Sequence, residues 1–288
     1  MISKTSKMDE RYKLNFTINT RTKVLIYIGI SVIYLLSILV LGLVMNENKY
    51  AVDYSQKFVK PCAEHLFGTD YMGRDMFWRC IKGLSNSIVI GILASVVSSI
   101  IALVFGISSA MIGGKYDKFI NWCVDACMGI PHLILLILIS FMVGRGARGV
   151  TIAVAVTHWP GLTRIVRAEV LQIRSTQYVQ AAYKFGKSKF YIAKNHIVPH
   201  VIPVYLVGVL LLFPHAIMHE ASITFLGFGL SAETPAIGVI LSEAMKHITT
   251  GKWWLALFPG LMLLIVVLLF DVLGENLKLL LNPNSGNE

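Results

Sequence analysis

The chain has 288 residues, of which 55% are hydrophobic and only 15% are charged, and its mean hydropathy is +0.66. These values lie outside the usual range of soluble domains, so they predict a polytopic membrane protein and exclude a separate soluble enzyme domain. The formal net charge of +10 comes from basic residues that flank the apolar runs. That distribution indicates contact with lipid headgroups and argues against nucleic-acid binding.

The apolar runs divide the chain into a tail, an anchor, an external segment and a helical core. Residues 1–23 form a polar, basic tail, and residues 24–44 are long enough to cross a bilayer. No small-residue cleavage site follows, so we expect 24–44 to remain as a membrane anchor. A mixed polar segment follows at 45–83, the core at 84–281 and a short C-terminal tail at 282–288.

Six apolar runs of membrane-spanning length predict an all-α fold with six transmembrane helices. The runs are 24–44, 87–112, 119–143, 149–166, 201–224 and 254–273. Prolines interrupt several runs, which a helix bundle tolerates when neighbouring groups satisfy the freed carbonyls. The segments that lie on the same side of the predicted membrane as the N-terminus contain more Lys and Arg than those on the opposite side. The positive-inside rule therefore predicts that both termini are cytoplasmic.

The external segment contains a dense polar motif, H-L-F-G-T-D-Y-M-G-R-D, from His65 to Asp75. Gly68 and Asp70 suit a turn and a helix start, and residues 76–78 suit a helix that lies at the outer membrane interface. We expect a structural role for this segment.

The four cysteines do not form a metal-ligand pattern. Cys62 and Cys80 fall in the external segment, where they could form a disulfide that spacing alone does not establish. Cys123 and Cys127 share one helical face in an apolar run and are predicted to be packing residues.

The central loop, residues 164–199, is the longest basic interval between two apolar runs. Within it, Gln180, Ala181 and Ala182 are followed by Gly186, and small residues at this spacing suit a short helix in close contact with a partner. Gly186 permits the turn that ends such a helix. A phosphate-binding loop is not expected, because Ala181 stands where that motif needs a glycine.

Ionisable residues inside the predicted spans indicate either a translocation path or a satisfied packing interaction inside the bundle, because such groups are costly in a bilayer. They are Asp125, His132, His158, His200, His215, His219 and Glu220. His215 and His219 are spaced i, i+4 and project from one face of the fifth span, as two metal ligands on a helix would. Hydrogen bonding between helices is the alternative role for these histidines.

Three separated motifs resemble those of permease subunits in the dipeptide, oligopeptide and nickel family of ATP-binding-cassette (ABC) importers. The external motif resembles H-x-L-G-T-D-x-x-G-R-D. Residues 180–199 resemble E-A-A-x3-G-x9-I-x-L-P, with Gln180, His196 and Val198 as departures. Residues 220–230 resemble E-A-x-L-S-F-L-G-L-G.

The resemblance is closest to the C-type subunit of the nickel or metal-chelate branch. Members of that branch carry H-x-x-x-H before the third motif and a His-Trp pair like the one that begins at His158. The resemblance implies a type I ABC importer permease fold and translocation of nickel, cobalt or a metal chelate across a bacterial cell membrane. It assigns ATPase coupling to Tyr178, Gln180, Ala181, Ala182, Gly186 and Lys187. It assigns the translocation path to His158, His215, His219 and Glu220, with transient metal contacts at His215 and His219.

The resemblance also implies partners and a mechanism. The partners are a second homologous permease in a heterodimer, two ABC ATPases that use ATP and Mg²⁺, and an extracellular or periplasmic substrate-binding protein. The chain itself is expected to bind no cofactor. Closure of the ATPases on ATP would move the helix at 178–187 and rock the bundle between inward-open and outward-open states.

Three alternatives remain open. A di- or oligopeptide substrate is the nearest one, although peptide members usually lack the histidines. A proton-coupled secondary transporter could use Glu220, Asp125 and the histidines as a relay, but the internal inverted repeats typical of that class are not seen. A metal channel is disfavoured by the long central loop.

Overall fold

The computed structural model describes residues 20–281, so most of the predicted N-terminal tail and the C-terminal tail at 282–288 lie outside the described residues. Within that range the chain is helical, and the β-type pairing found there is one isolated bridge between Thr69 and Asp75. This confirms the predicted all-α fold. The helices are α1 Thr20–Val44, α2 Met76–Ile112, α3 Gly114–Gly129, α4 His132–Val143, α5 Ala147–Thr157, α6 Trp159–Arg174, α7 Gln177–Lys184, α8 Lys189–Ile192, α9 Val198–Phe225, α10 Ile237–Met245 and α11 Trp254–Leu281.

The helix α2 is the centre of the bundle, where it packs against α1, α5, α6 and α9. Small side chains allow these close contacts: Ala94 and Ala102 are fully buried, and Gly91 lies against Ile217 of α9. Large apolar side chains remain exposed on the outer faces of α1, α2, α4, α9 and α11. That surface suits contact with lipid rather than water.

The helix α1 covers the predicted anchor and joins the bundle through α2 and α11. Two side chains of α2 reach its carbonyls, because Lys82 Nζ donates to Gly42 at 2.9 Å and Ser85 Oγ donates to Leu39 at 3.2 Å. The anchor is therefore attached to the core by hydrogen bonds as well as by packing.

The predicted count of six spans is not confirmed. Among residues 20–281, four helices are long and apolar enough to cross a membrane, and a fifth crossing arises if α3 and α4, which meet at 98°, form one bent span. The predicted span 149–166 is divided between α5 and α6, because the helix breaks at His158 and restarts with Pro160 in its first turn.

The start of α2 corrects the prediction of an interfacial helix at 76–78. Met76 is buried and begins a continuous helix of 37 residues, and the predicted core boundary at residue 84 falls inside this helix. The carboxylate of Asp75 caps the helix by accepting from the backbone N–H groups of Phe77 and Trp78.

An ion-pair clamp joins the segment before α2 to α10. It consists of Asp70, Arg74, Arg79 and Glu243. Asp70 Oδ2 accepts from Arg74 Nε at 2.7 Å and from Arg79 at 2.9 Å, while Glu243 Oε2 lies 3.1 Å from Arg74 and 2.7 Å from Arg79. The H-L-F-G-T-D-Y-M-G-R-D motif therefore positions a buried charge network.

The cysteines of this region do not form a disulfide. Cys62 is exposed and Cys80 is buried inside the bundle, and both are free thiols. The separation follows from the early start of α2, which carries Cys80 into the core next to Leu84.

Candidate functional site

Three histidines from distant parts of the chain meet inside the bundle. His132 is the first residue of α4, His158 lies at the break between α5 and α6, and His219 lies on α9. Their ring centroids are separated by 4.8 Å for His132 and His158, 4.5 Å for His132 and His219, and 5.1 Å for His158 and His219. We refer to these three side chains as the histidine triad.

The helix breaks create this arrangement. α3 ends at Gly129, and Pro131 precedes α4, so the chain turns sharply and presents His132 at the new helix start. His158 caps the junction of α5 and α6 with its backbone rather than its side chain. Both imidazoles are thus free to point into the space beside α9.

The backbone fixes the tautomer of His158. Its Nδ1 lies 2.9 Å from the carbonyl oxygen of Val154, and a carbonyl can only accept, so Nδ1 carries the proton. The lone pair therefore resides on Nε2, which is buried and has no hydrogen-bond partner. His132 Nε2 is likewise buried without a partner. An imidazole oriented by a backbone carbonyl through its other nitrogen is the usual form of a metal-ligating histidine.

The spacing of the triad suits loose metal binding. One nitrogen from each ring can be chosen so that all three lie within 4.8 Å of one another. Ligands of a tetrahedral ion with metal–nitrogen bonds of about 2.0–2.1 Å lie about 3.3 Å apart, so the nitrogen atoms must approach one another by up to about 1.5 Å to hold an ion tightly. In the observed geometry the triad offers three nitrogen donors to an ion that is not enclosed.

The triad lines a cavity of about 580 Å³. His215 lies in the same cavity wall, one turn from His219 on α9, and the thiol of Cys127 lines it from α3. The structure therefore places both predicted metal contacts at one cavity, but it groups His219 with His132 and His158 more closely than with His215. Sequence analysis identified His132 as an intramembrane ionisable residue but did not assign it to the translocation path. The Pro131-His132 step after Gly129 was the sequence signal for the helix break that places His132 in the cavity wall.

Glu220 lies beside the triad in sequence but faces the packed interior. Its side chain is fully buried, Oε1 accepts from the hydroxyl of Thr224 at 2.9 Å, and Oε2 has no hydrogen-bond partner. The side chain of Ser87 on α2 lies close to this carboxyl. Glu220 is thus placed between α9 and α2 and does not line the cavity beside the triad.

Two other ionisable residues lie away from the triad. Asp125 forms an exposed ion pair with Arg164 between α3 and α6. His200 is exposed, and its Nε2 lies 3.5 Å from the hydroxyl oxygen of Tyr178 on α7. A proton relay through Asp125, Glu220 and the histidines is therefore not assembled in this structure.

The predicted coupling residues form a short helix at the surface. Val179 and Ala182 of α7 are buried against the bundle, whereas Tyr178, Gln180 and Lys187 are exposed. Ala181 is half-buried. Gln180 donates from Nε2 to the carbonyl of Arg174 at 2.8 Å, a bond to the end of α6 that a glutamate at this position could not donate.

A glycine turn ends this helix. Gly186 has a φ of +75°, its N–H donates to Tyr183 at 3.0 Å, and the N–H of Lys187 donates to Ala182 at 3.2 Å. This pair of bonds is the Schellman motif, in which glycine is favoured because a side chain strains the backbone. The turn leaves Phe185 and Phe190 82% and 78% exposed on either side of it. Both aromatic side chains are therefore accessible at the surface beside the turn.

The chain is similar to known transport proteins along most of its length. A family model described as "binding-protein-dependent transport system inner membrane component" matches residues 102–282. The dipeptide transport system permease protein DppC of Bacillus subtilis is 33% identical over 229 residues, which cover 80% of this chain and 72% of the relative. The nickel transport system permease protein NikC of Escherichia coli is 30% identical over 271 residues, which cover 94% of this chain and 98% of the relative.

A solved structure supports the fold. The MetNI methionine ABC transporter in an inward-facing conformation matches with a TM-score of 0.60 and 19% identity, covering 72% of this chain and 98% of that chain. The family resemblance and the predicted permease fold are confirmed. The chain therefore belongs to the family of binding-protein-dependent transport system inner membrane components, and it is a multi-pass membrane permease subunit of an ABC importer rather than an enzyme.

Proposed function

We propose that this permease subunit imports a divalent transition metal, nickel or cobalt, as the ion or as a chelate. The observation that carries the proposal is the histidine triad, in which three imidazoles line one cavity and the Nε2 atoms of His132 and His158 are buried without a hydrogen-bond partner. Buried polar atoms without partners are costly, and a ligand in the cavity that these imidazoles line would satisfy them. Imidazole nitrogen suits nickel, cobalt and zinc better than it suits calcium or magnesium.

The loose spacing of the triad fits a transported ion. A permeant metal must bind favourably enough to enter and weakly enough to leave. Because the three rings stand farther apart than an ideal tetrahedral site requires, the contacts are transient. His215, in the same cavity wall, supplies a fourth imidazole within one helical turn of His219.

The relatives support both a metal and a peptide as the substrate. NikC, named as a nickel permease, matches along 94% of this chain. The second candidate is a di- or oligopeptide, because several of the relatives with higher identity, including DppC at 33% and the oligopeptide permease OppC of Bacillus subtilis at 34%, are named as peptide permeases. We favour the metal, because a peptide does not need three converging imidazoles.

The remaining assembly is proposed from the resemblance to importer permeases and, for the ATPase contact, from the exposed surface of α7. The α7 helix and the turn at Gly186 dock against one of two ABC ATPases, which bind ATP and Mg²⁺, while this chain binds no cofactor. A second homologous permease completes a heterodimer, an external binding protein delivers the substrate, and both termini are cytoplasmic. α6 then connects the ATPase contact to the triad, because it runs for about 24 Å between Thr176 and His158.

The test is metal uptake by the assembled transporter with His158 or His219 replaced. We expect His158→Leu and His219→Leu to lower nickel or cobalt uptake by about 10-fold or more, normalised to assembled complex. His247→Leu is the matched control, because His247 packs on Phe58 outside the cavity and should leave uptake unchanged. Full metal uptake by both triad variants would contradict the proposal.

A further inference from the structure

A second cavity lies near the end of α9 that is remote from α7. Its volume is about 520 Å³, and its wall includes Arg145 from the link between α4 and α5, Thr224 of α9 and Lys246 directly after α10. We propose that Arg145 and Lys246 form an anion site that receives a carboxylate group of the substrate. This inference rests on the proposed function and deepens it, because it selects a carboxylate-bearing metal chelate over the bare ion.

The second cavity carries an excess of positive charge. Among residues 20–281, the carboxylate that lines it belongs to Glu243, which forms ion pairs with Arg74 and Arg79 in the clamp. The charges of the clamp cancel, because it contains two acids and two arginines. Within the same described range, Arg145 and Lys246 form no ion pair with a carboxylate. Their charges are therefore available to a ligand.

Aromatic side chains orient the guanidinium of Arg145. Its Cζ lies 5.8 Å from the ring centroid of Phe141 and 5.5 Å from that of Phe228. The backbone ties the two loops together, because the N–H of Gly146 donates to the carbonyl oxygen of Gly229 at 3.1 Å. A guanidinium that stacks on aromatic rings keeps its N–H donors at its edge. The fork of Arg145 can thus bind a carboxylate through two hydrogen bonds.

A positive cavity discriminates between the forms in which a metal arrives. Charges of the same sign repel, so a bare divalent cation is disfavoured beside Arg145 and Lys246. A chelate whose carboxylates give it a net negative charge is attracted instead. The volume of the second cavity also suits a small organic molecule, since ligand pockets usually measure about 300–1,000 Å³.

The second cavity and the histidine triad are neighbours along α9. Thr224 lies five residues beyond His219, which corresponds to about 7–8 Å along a helix axis. In the proposed orientation this end of α9 faces outward. An incoming chelate would therefore meet the two cations before its metal reaches the imidazoles.

The test is binding of nickel citrate to the full-length chain purified in detergent, measured by calorimetry. Citrate supplies several carboxylates, and the same titration with metal-free citrate separates their contribution from that of the metal. We expect Arg145→Gln and Lys246→Gln each to raise the dissociation constant of both probes by about 10-fold or more. Both residues are exposed, so neither substitution should prevent folding.

The matched control is Arg148→Gln, because Arg148 is exposed and lies three residues after Arg145 without lining the second cavity. It should leave both dissociation constants unchanged. Absence of citrate binding to the parent, unchanged binding by both cavity variants, or an equal loss in Arg148→Gln would overturn the anion site. Inorganic phosphate that binds as tightly as citrate would overturn its assignment to carboxylates, and tighter binding of glycylglycine than of nickel citrate would overturn the chelate.

The anion site and the proposed metal transport fail separately, because metal-free citrate carries no ion for the triad. Citrate binding that depends on Arg145, together with background nickel uptake by the assembled transporter, would retain the anion site and reject the metal. Nickel uptake that depends on His158, together with absence of citrate binding, would retain the metal and reject the anion site.

Discussion

The ion-pair clamp and the histidine triad are two buried polar clusters in one bundle, and they differ in how completely their groups are satisfied. In the clamp, each carboxylate forms ion pairs with two arginines, and Asp70 also accepts from the backbone N–H groups of Met72 and Arg74. In the triad, the Nε2 atoms of His132 and His158 have no hydrogen-bond partner.

We propose that this difference separates a structural role for the clamp from a transport role for the triad. A fully paired buried network is destabilised strongly when one member is removed, because the remaining charges lose their partners. A cluster with unpaired atoms contributes little to folding, and its removal relieves a cost. We therefore expect mutations in the clamp to affect stability and mutations in the triad to affect transport.

The largest expected effect on stability is at Arg79, whose side chain is 2% exposed and contacts both acids of the clamp. Arg79→Ala leaves Asp70 and Glu243 buried with less compensation, so it should lower the free energy of unfolding by about 3–5 kcal/mol. Thermal unfolding in detergent measures the loss. The control is Arg148→Ala, an exposed arginine that should change stability little.

A second prediction concerns the turn after α7. Gly186→Val places a β-branched residue at a φ of +75°, which costs about 1–2 kcal/mol locally and should displace Phe185 and Lys187. We expect loss of ATPase co-purification and of uptake, with normal membrane insertion. Gly29→Val in α1 is the control, because it adds the same side chain where no atom lies within 4 Å and φ is not positive. Normal coupling in Gly186→Val would remove the docking assignment.

Replacement of His158 provides a direct contrast with replacement of Arg79. His158→Leu removes one hydrogen bond to Val154 and also an unpaired buried nitrogen, so its effect on the free energy of unfolding should stay within about 1 kcal/mol. The same variant should lose metal uptake. A destabilisation as large as that of Arg79→Ala would show that His158 belongs to a structural network like the clamp.

The smallest expected effect is at Gln180, whose side chain joins α7 to the end of α6. Gln180→Ala removes one exposed hydrogen bond, worth at most about 1 kcal/mol. Hydrogen exchange over residues 175–184 should become faster while global stability is unchanged. Gln172→Ala, also exposed and on α6, is the control. Unchanged exchange in Gln180→Ala would show that the bond does not restrain α7.

The sequence predicted the helical membrane fold, the short helix before Gly186 and the shared helix face of His215 and His219 from local signals. Small residues and a glycine predicted the turn at Gly186, and i, i+4 spacing placed His215 and His219 on one face. The triad was not predictable in this way, because His132, His158 and His219 come from different helices. Two of them sit at helix breaks, where periodicity carries no information.

Local sequence signals also failed to predict the clamp and the number of membrane spans. The motif around Asp70 was visible, but its partner Glu243 lies on α10, and only tertiary packing joins them. The run at 149–166 looked like one span because its composition is apolar, whereas the break at His158 divides it into α5 and α6. Composition sets hydropathy, and local breaks decide where a helix ends.

Competition between substrates distinguishes a metal or metal chelate, the substrate proposed above, from a peptide. Cells that produce the assembled transporter should accumulate labelled nickel or cobalt in an energy-dependent manner, and cells that lack this chain should not. An excess of dipeptide should leave that uptake unchanged. Background-level metal uptake together with energy-dependent, chain-dependent dipeptide uptake would contradict the account and assign the cavity to peptides.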